Sequence, residues 1–455
     1  MTDNKTTPMH RRHFLSLTAA TAFAQTTKPN IVFILADDLG YGDLGCFGQQ
    51  KIKTPHLDQL AASGIRFTHA YAGSTVCAPS RCCLHTGKHT GHTRVRGNIK
   101  IPGEVPLEPT DITVAKLLKQ AGYRSAIFGK WALGLLGSTG YPLDQGFDEW
   151  FGFFSQSHAH NYYPEHLLDG RGAIQLTGNT GTQKKDYAPD LIHRRALDFL
   201  RRQTPAQPFF LYLPMTTPHA NNELGRDTQN GQEVPEDAPY SGQSWPQVEK
   251  NFAAMVTRMD TQVGDVLTLL KERGVENNTL VIFTSDNGPH KEGGHNAEFF
   301  DSNGPLRGTK RDLYDGGIRV PAIAAWPGRI RPGQTSAQPW AFWDFLPTAA
   351  ELAGVKAPAD IDGVSLVPTL LGQGAQRQHE YLYWEFHESG FAQAVRLGQW
   401  KAVRLKGQTA VELYDINRDP GETNNLAAQQ PDLCRRALAI MKSARTEHPL
   451  FPVKA

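Results

Sequence analysis

The chain has 455 residues, long enough to bury a large core as one big domain with an appendage or as two domains. Its 47 basic residues balance 45 acidic ones, and the net charge of +2 excludes a chain-wide field that would draw nucleic acid or an acidic membrane. With 39% hydrophobic residues, 43 glycines and 30 prolines it reads as a loop-rich folded enzyme whose partners are recognised at a local site.

Residues 1–24 come first. Arg11 and Arg12 precede a weakly apolar run to Phe23, and Ala22-Phe23-Ala24 forms an A-x-A cleavage pattern. This reads as a twin-arginine export signal, with a periplasmic or secreted destination; the plain alternative is a tail with a chance arginine pair. The run is too short to span a bilayer, and no other segment is a candidate transmembrane span. Export would permit disulfides. Yet Cys46, Cys77, Cys82, Cys83 and Cys434 are odd in number and have no framework spacing, so at least one is left over.

Downstream, the run Ile31 to Ala36 suits a strand buried on both faces, and it ends in Asp37-Asp38. Leu57, Leu60 and Ala61 mark a helix stopped by Gly64, with a strand from Ile65. Pro79 is well placed as the first residue of a helix through Arg81 to Leu84, which sets Cys77 near a helix N-terminus. An N-terminus and Arg81 favour an anion there, and a generic reading is a low-pKa thiolate nucleophile.

Thr110 or Asp111 can cap the next helix, whose stripe is Val114, Leu117, Leu118 and Ala121, and Ser125 to Phe128 follow as a strand leading straight to Lys130. Two further strands, Phe209 to Leu213 and Leu280 to Thr284, run out toward His219 and toward Asp286-Asn287. Alternating strands and helices predict an α/β fold with a large, mostly parallel sheet, in which ligands bind beyond the carboxyl ends of the strands. These scattered polar groups are therefore expected in one cleft. From about Gly372 the texture turns to short alternating segments, YLYWEF, QAVRLGQWKAVRL and AVELYDI, and a last helix from Pro431 to about Thr446. They predict a C-terminal α+β subdomain, 372–455, with an antiparallel sheet that covers the main sheet or lines one wall of the cleft, beside a catalytic domain at 25–371.

The stretch CAPSRCCLHTG resembles the signature of the type I sulfatases, C-x-P-S-R followed by L-x-T-G, at Cys77, Pro79, Ser80, Arg81, Leu84, Thr86 and Gly87. The resemblance covers most of the chain from Lys28 onward and implies an alkaline-phosphatase-like fold. It also implies that Cys77 is oxidised by a formylglycine-generating enzyme to formylglycine, an aldehyde whose hydrate attacks sulfur. Asp37, Asp38, Asp286 and Asn287, with residue 77, match the family's metal ligands; their oxygens suit Ca²⁺, and Mg²⁺ less well. Arg81, Lys130, His219 and Lys310 match the remaining site residues, set to surround a sulfate and move protons. One position departs: where many members read GKWHLG, this chain has Ala132, which neither donates nor accepts a proton.

The loop from Ser157 to His166 is rich in histidine and tyrosine, and His158, His160 and Asn161 are candidate contacts to a sugar ring, with loop packing as the bland reading. His92, Arg94, Arg96 and Asn98 are candidates for the rim, although such arginines are as often surface ion pairs. The expected activity is hydrolysis of a sulfate monoester on a sulfated carbohydrate. The alternatives are a phosphodiester or phosphonate monoester hydrolase of the same superfamily, or a non-catalytic binder of sulfated glycan in which Cys77 stays a thiol.

Overall fold

A computed structural model describes residues 1–2, 28–98, 104–388 and 390–453; the export signal read at 1–24 lies almost wholly outside them. The first third of the chain holds β1 (Asn30–Ala36), α1 (Pro55–Ala62), β2 (Ile65–Phe67), β3 (Ala70–Tyr71), α2 (Cys77–Thr86), α3 (Val114–Gln120) and β4 (Arg124–Gly129). Then come β5 (Glu149–Gly152), β6 (His166–Asp169), β7 (Gly172–Gln175), α4 (Ala188–Arg201), β8 (Phe209–Pro214), α5 (Asn222–Thr228), α6 (Gln247–Glu272) and β9 (Thr279–Ser285). The chain continues through α7 (Asp315–Ile318), β10 (Ala322–Ala325), β11 (Gln334–Ser336), β12 (Trp340–Ala341), α8 (Phe345–Ala353) and α9 (Val367–Leu371). Strands β13 (Leu382–Phe386), β14 (Ala392–Leu397), β15 (Trp400–Arg404) and β16 (Glu412–Asp415) precede α10 (Pro431–Ser443).

Ten strands form one sheet in the order β11-β2-β10-β9-β1-β8-β4-β5-β6-β7. Its centre, β9-β1-β8-β4-β5, is parallel, and β10, β6 and β7 pair antiparallel toward the edges. The expected mixed, mostly parallel architecture is what the chain adopts. β1 is buried along its whole length because it serves two cores: Ile31, Phe33 and Leu35 pack on one face, Val32, Ile34 and Ala36 on the other. A strand so placed has no polar face to spare, which is why the sequence there is uninterrupted. Helix α2 packs on the first face through Val76, Cys82, Cys83 and Leu84, and the 26-residue α6 on the second through Phe252, Val256, Met259 and Val263.

Some local expectations shift. Helix α2 begins at Cys77 rather than Pro79, which sits in the first turn, where a missing N–H costs nothing. Thr113, not Thr110 or Asp111, caps α3, its hydroxyl accepting from the Lys116 N–H at 3.2 Å. The last helix closes at Ser443, short of Thr446.

Strands β13 to β16 form a separate antiparallel sheet with α10 against it. This unit is tied to the elements around the large sheet by buried polar contacts. Trp384 Nε1 donates to Ala72 O at 2.9 Å, Arg96 pairs with Glu385 at 2.9 Å, and Lys401 pairs with Asp315 at 2.8 Å.

Candidate active site

The parallel register sets Ala36 beside Ser285, so the turns that follow β1 and β9 leave the sheet together. They carry Asp37-Asp38 and Asp286-Asn287. Asp286 N–H donates to Ala36 O at 3.1 Å and Asp38 N–H to Asp286 Oδ1 at 3.1 Å, locking the turns to each other. Lys130 leaves β4 two strands away, and His219 lies five residues beyond the end of β8.

The signature helix is legible residue by residue. Ser80 Oγ accepts from the Gly73 N–H at 3.0 Å, fixing the strand-to-helix turn. Leu84 enters the core, Thr86 donates its hydroxyl to Cys82 O at 2.7 Å, and Gly87 ends the helix in the left-handed region at φ 70°, where glycine is favoured. Arg81 reaches Asp286 Oδ2 with both Nε and Nη2, at 3.1 and 2.8 Å, and lies 3.4 Å from Asp37 Oδ2.

Two lysines complete a ring of charge. Lys130 Nζ stands 2.7 Å from Asp37 Oδ2, and Lys310 Nζ 2.7 Å from Asp38 Oδ2. Three carboxylates thus face three buried cations. Burial opposes ionisation of all of them, but Lys130 holds Asp37, and Lys310 holds Asp38, well below the usual carboxylate range. Asp286 is pushed the other way, to about 7, by burial and then by Asp37, against the pull of Arg81.

The oxygens left over fit a cation. Asp37 Oδ1 and Asn287 Oδ1 are buried and accept no hydrogen bond from the described residues. Asn287 Nδ2 is committed to Asp38 Oδ1 at 2.7 Å and to Gly288 O at 2.9 Å, which fixes the amide with its oxygen free. Asp37, Asp38, Cys77 and His219 present ligand atoms within 4.8 Å of one another. Two buried oxygens without donors, Asp37 Oδ1 and Asn287 Oδ1, suit a hard cation such as Ca²⁺.

Cys77 is 1% exposed, and its thiol is pushed up to about 12 by burial, which outweighs Lys130. The generic expectation of a low-pKa thiolate is therefore corrected: burial outweighs the Lys130 and Lys310 ammoniums. Among the described residues two N–H donors address its sulfur, Lys130 Nζ at 3.5 Å and Gln156 Nε2 at 3.4 Å. Sulfur is a weak acceptor, and this pair of donors fits an oxygen at residue 77 better. All five cysteines are unpaired, and Cys82 and Cys83 are core residues.

His219 has a defined tautomer. Its Nδ1 faces Ala220 O at 2.7 Å and so carries the proton, leaving the Nε2 lone pair toward Lys310 Nζ at 3.2 Å. Burial, and then the Lys310 ammonium, lower its pKa to about 3, so the ring is neutral at ordinary pH. Glu292 also accepts from Lys310, at 3.1 Å, and from Arg311 at 2.5 Å.

Above this cluster opens a cleft of about 560 Å³ that reaches Cys77, His219 and Lys310. Of the proposed sugar contacts His160 lines it, its ring stacked on His219 at 4.7 Å, and of the proposed rim Asn98 does. The others are turned elsewhere. His92 bonds Asp362 at 2.9 Å, His158 packs on Phe154 and His166, and Asn161 accepts from the Tyr163 N–H at 2.9 Å. Arg94 pairs with Glu108, and Arg96 is buried on Glu385 and Thr446. Sequence reasoning missed Glu104, Gln156, Asn222, Arg311 and Glu388, which also line the cleft. Glu388 comes from the loop after β13, so the C-terminal unit does supply part of one wall.

Sheet order and cluster together set buried carboxylates, cations and Cys77 at the carboxyl ends of a mostly parallel sheet, an alkaline-phosphatase-like architecture. The chain belongs to the sulfatase family: residues 29–355 match the model described as Sulfatase, and residues 308–441 match that of N-sulphoglucosamine sulphohydrolase, C-terminal. It is 36% identical over 415 residues to N-acetylgalactosamine-6-sulfatase of Rattus norvegicus, across 85% of this chain and 74% of that one. Human arylsulfatase A is 34% identical over 466 residues, across 90% and 86% of the two chains. The crystal structure of Ps i-CgsB in complex with k-i-k-neocarrahexaose superposes with a TM-score of 0.79 at 29% identity, covering 91% and 92% of the chains. The protein is a sulfuric ester hydrolase. No helix among the described residues is long and apolar enough to cross a membrane.

Proposed function

We propose that this sulfatase is exported and removes sulfate from a sulfated carbohydrate, using formylglycine made from Cys77 by a formylglycine-generating enzyme and a bound Ca²⁺. The observation that carries the reading is the pair of buried, donorless oxygens, Asp37 Oδ1 and Asn287 Oδ1, in the cluster that also holds the donor-flanked Cys77. Asp37, Asp38, Asp286 and Asn287, with residue 77, would hold the cation, and Mg²⁺, which keeps several waters, fits so closed a set less well. Export rests on the arginine pair and cleavage pattern of residues 1–24.

The reaction exchanges a sulfate ester and water for an alcohol and hydrogen sulfate. Formylglycine supplies a hydrated aldehyde as nucleophile and a second hydroxyl through which sulfate can be expelled; Ca²⁺ supplies a Lewis acid for the sulfate oxygens. Arg81, Lys130 and Lys310 set fixed positive charge at the cleft floor, where negative charge grows on the sulfuryl oxygens. His219 has its one N–H tied to Ala220 O, so its Nε2 lone pair, which faces Lys310 Nζ at 3.2 Å, is the atom of the ring that can accept a proton from residue 77. Lys310, protonated and beside that ring, then donates to the departing alkoxide.

The carbohydrate reading draws on the names of the relatives and on a lining of uncharged hydrogen-bonding groups, Asn98, Ser155, Ser157 and Asn222, which suit sugar hydroxyls. The test is a screen of position-defined sulfated mono- and disaccharides alongside 4-nitrophenyl sulfate and matched phosphate and phosphonate esters. Release of sulfate from at least one saccharide, faster than phosphorus release from its analogue, is expected. Faster turnover of the phosphorus esters would overturn the sulfate assignment, and turnover of the aryl ester alone would overturn the carbohydrate one.

A further inference from the structure

Of the two donors on Cys77 Sγ, Lys130 is already bound to Asp37 and belongs to the ring of charge. Gln156 belongs to nothing else in that ring. It sits in the loop between β5 and β6, four residues past Gly152, and would be free to wander unless its backbone were fixed. Glu104 fixes it: one carboxylate oxygen accepts the Gln156 N–H and the other the Gly134 N–H, at 3.4 Å. Gly134 ends the turn that begins at Lys130. Glu104 therefore staples the segment carrying one donor to the loop carrying the other, and both reach the same side chain.

The turn itself contributes little to residue 77. Between Lys130 and Gly134, Ala132 occupies the left-handed region at φ 66° and offers only a methyl group. Trp131 spends its Nε1–H on Gly140 O at 2.7 Å. A second donor, neutral where Lys130 is charged, thus arrives from a different part of the fold. An amide suits the task, because it gives a directed hydrogen bond without adding charge to a balanced cluster and without titrating in the working range.

We propose that Gln156 is a positioning residue for the reactive side chain at 77, donating Nε2–H to one oxygen of the hydrated aldehyde while Glu104 holds the Gln156 backbone in place. Cys77 Sγ stands in the structure where that oxygen would be. The inference rests on the formylglycine reading above. Gln156 touches the reactive group and supplies orientation; the proton traffic stays with His219 and Lys310. Holding one hydroxyl fixes the rotamer and leaves the other to face sulfur, which raises the turnover number and has little effect on ground-state binding.

The experiment uses the full chain co-produced with a formylglycine-generating enzyme, as wild type, Gln156→Ala, Gln156→Glu and Glu104→Gln. Mass analysis of the Cys77 peptide comes first, and equal conversion in all four is expected, since Gln156 is 79 positions away in the chain. In Gln156→Ala, kcat on 4-nitrophenyl sulfate should fall roughly ten- to hundredfold with KM within about threefold and an unchanged pH profile. Because only the unhydrated aldehyde reacts, labelling by an aminooxy reagent should become several-fold faster once the hydrate loses its hydrogen bond. Glu104→Gln should show the same pattern in weaker form, and Gln156→Glu, which puts a carboxylate against the hydrate, should lose kcat at least as heavily as Gln156→Ala. Turnover and labelling both within twofold of wild type in Gln156→Ala would overturn the proposal. So would a lower converted fraction, which would assign Gln156 to maturation. An unmodified thiol in the wild-type chain would instead sink the formylglycine reading, and the mass spectrum separates the two failures.

Discussion

Asn287 gives its Nδ2 to Asp38 Oδ1 over 2.7 Å, and by doing so it turns its own Oδ1 into a buried lone pair with no donor. Truncating Asn287 takes away that oxygen, the proposed ligand, and with Nδ2 gone frees Asp38 Oδ1 at once. Asn287→Ala and Asp286→Ala should each copurify with substoichiometric metal and lose at least about a hundredfold in kcat/KM. Chelation of the wild type should abolish turnover, and Ca²⁺ should restore it more fully than Mg²⁺. Full activity after exhaustive chelation, checked by elemental analysis, would remove the cation from the account.

Cys77→Ala and Cys77→Ser should both be inactive beyond a single turnover. A serine hydroxyl can take the sulfuryl group yet has no second hydroxyl through which to expel it, so Cys77→Ser should accumulate a sulfated peptide. Intact-mass measurement after exposure to substrate reads this as an added sulfuryl group, and sustained turnover by either variant would contradict the assignment.

Lys310 and His219 are separable by leaving group. A sugar alkoxide needs a proton and a nitrophenolate does not, so Lys310→Ala should cost about 10²–10⁴-fold on a saccharide sulfate and much less on 4-nitrophenyl sulfate. His219→Ala should slow both. Because burial and Lys310 hold His219 near 3, it stays neutral from pH 8 down to pH 5, and no acid limb near 6.5 should appear in kcat. A limb there that vanishes in His219→Ala would show that the ring titrates in the working range.

Glu385 carries a stability prediction. Burial raises its pKa, but His387 and Arg96 overcome that and hold it at about 2, against 4.5 in the unfolded chain. A depressed carboxylate contributes stability that is present above pH 4.5 and is lost as pH falls toward 2. Glu385→Gln should therefore cost on the order of 3 kcal/mol at pH 7 and progressively less below pH 4.5. Urea melts across that range measure it, and a constant deficit at all pH values would refute the ion-pair origin.

The parts of this molecule written in the sequence are those set by local pattern. β1, β4, β8 and β9 were legible because strands buried on both faces read as apolar runs, and their ends pointed to Asp37, Lys130, His219 and Asp286. The long α6 was missed, although Phe252, Val256, Met259, Val263 and Leu270 keep a helical period. Gln156 and Glu104 carried no such mark, since their roles depend on where two loops meet. Glu292 had a faint one in its place five residues after Asn287. His92 and His158 were misjudged for a related reason: composition reveals that a loop is rich in imidazole but not which ring faces the cleft and which faces Asp362 or His166.

All ten residues of α2 are buried, Cys77 among them. On the formylglycine reading proposed above, an enzyme that oxidised Cys77 would have to reach it before this helix is buried. Oxidation and folding would then compete, and chains that folded first would keep the thiol. Specific activity would in that case follow the converted fraction, which mass analysis of the Cys77 peptide reads.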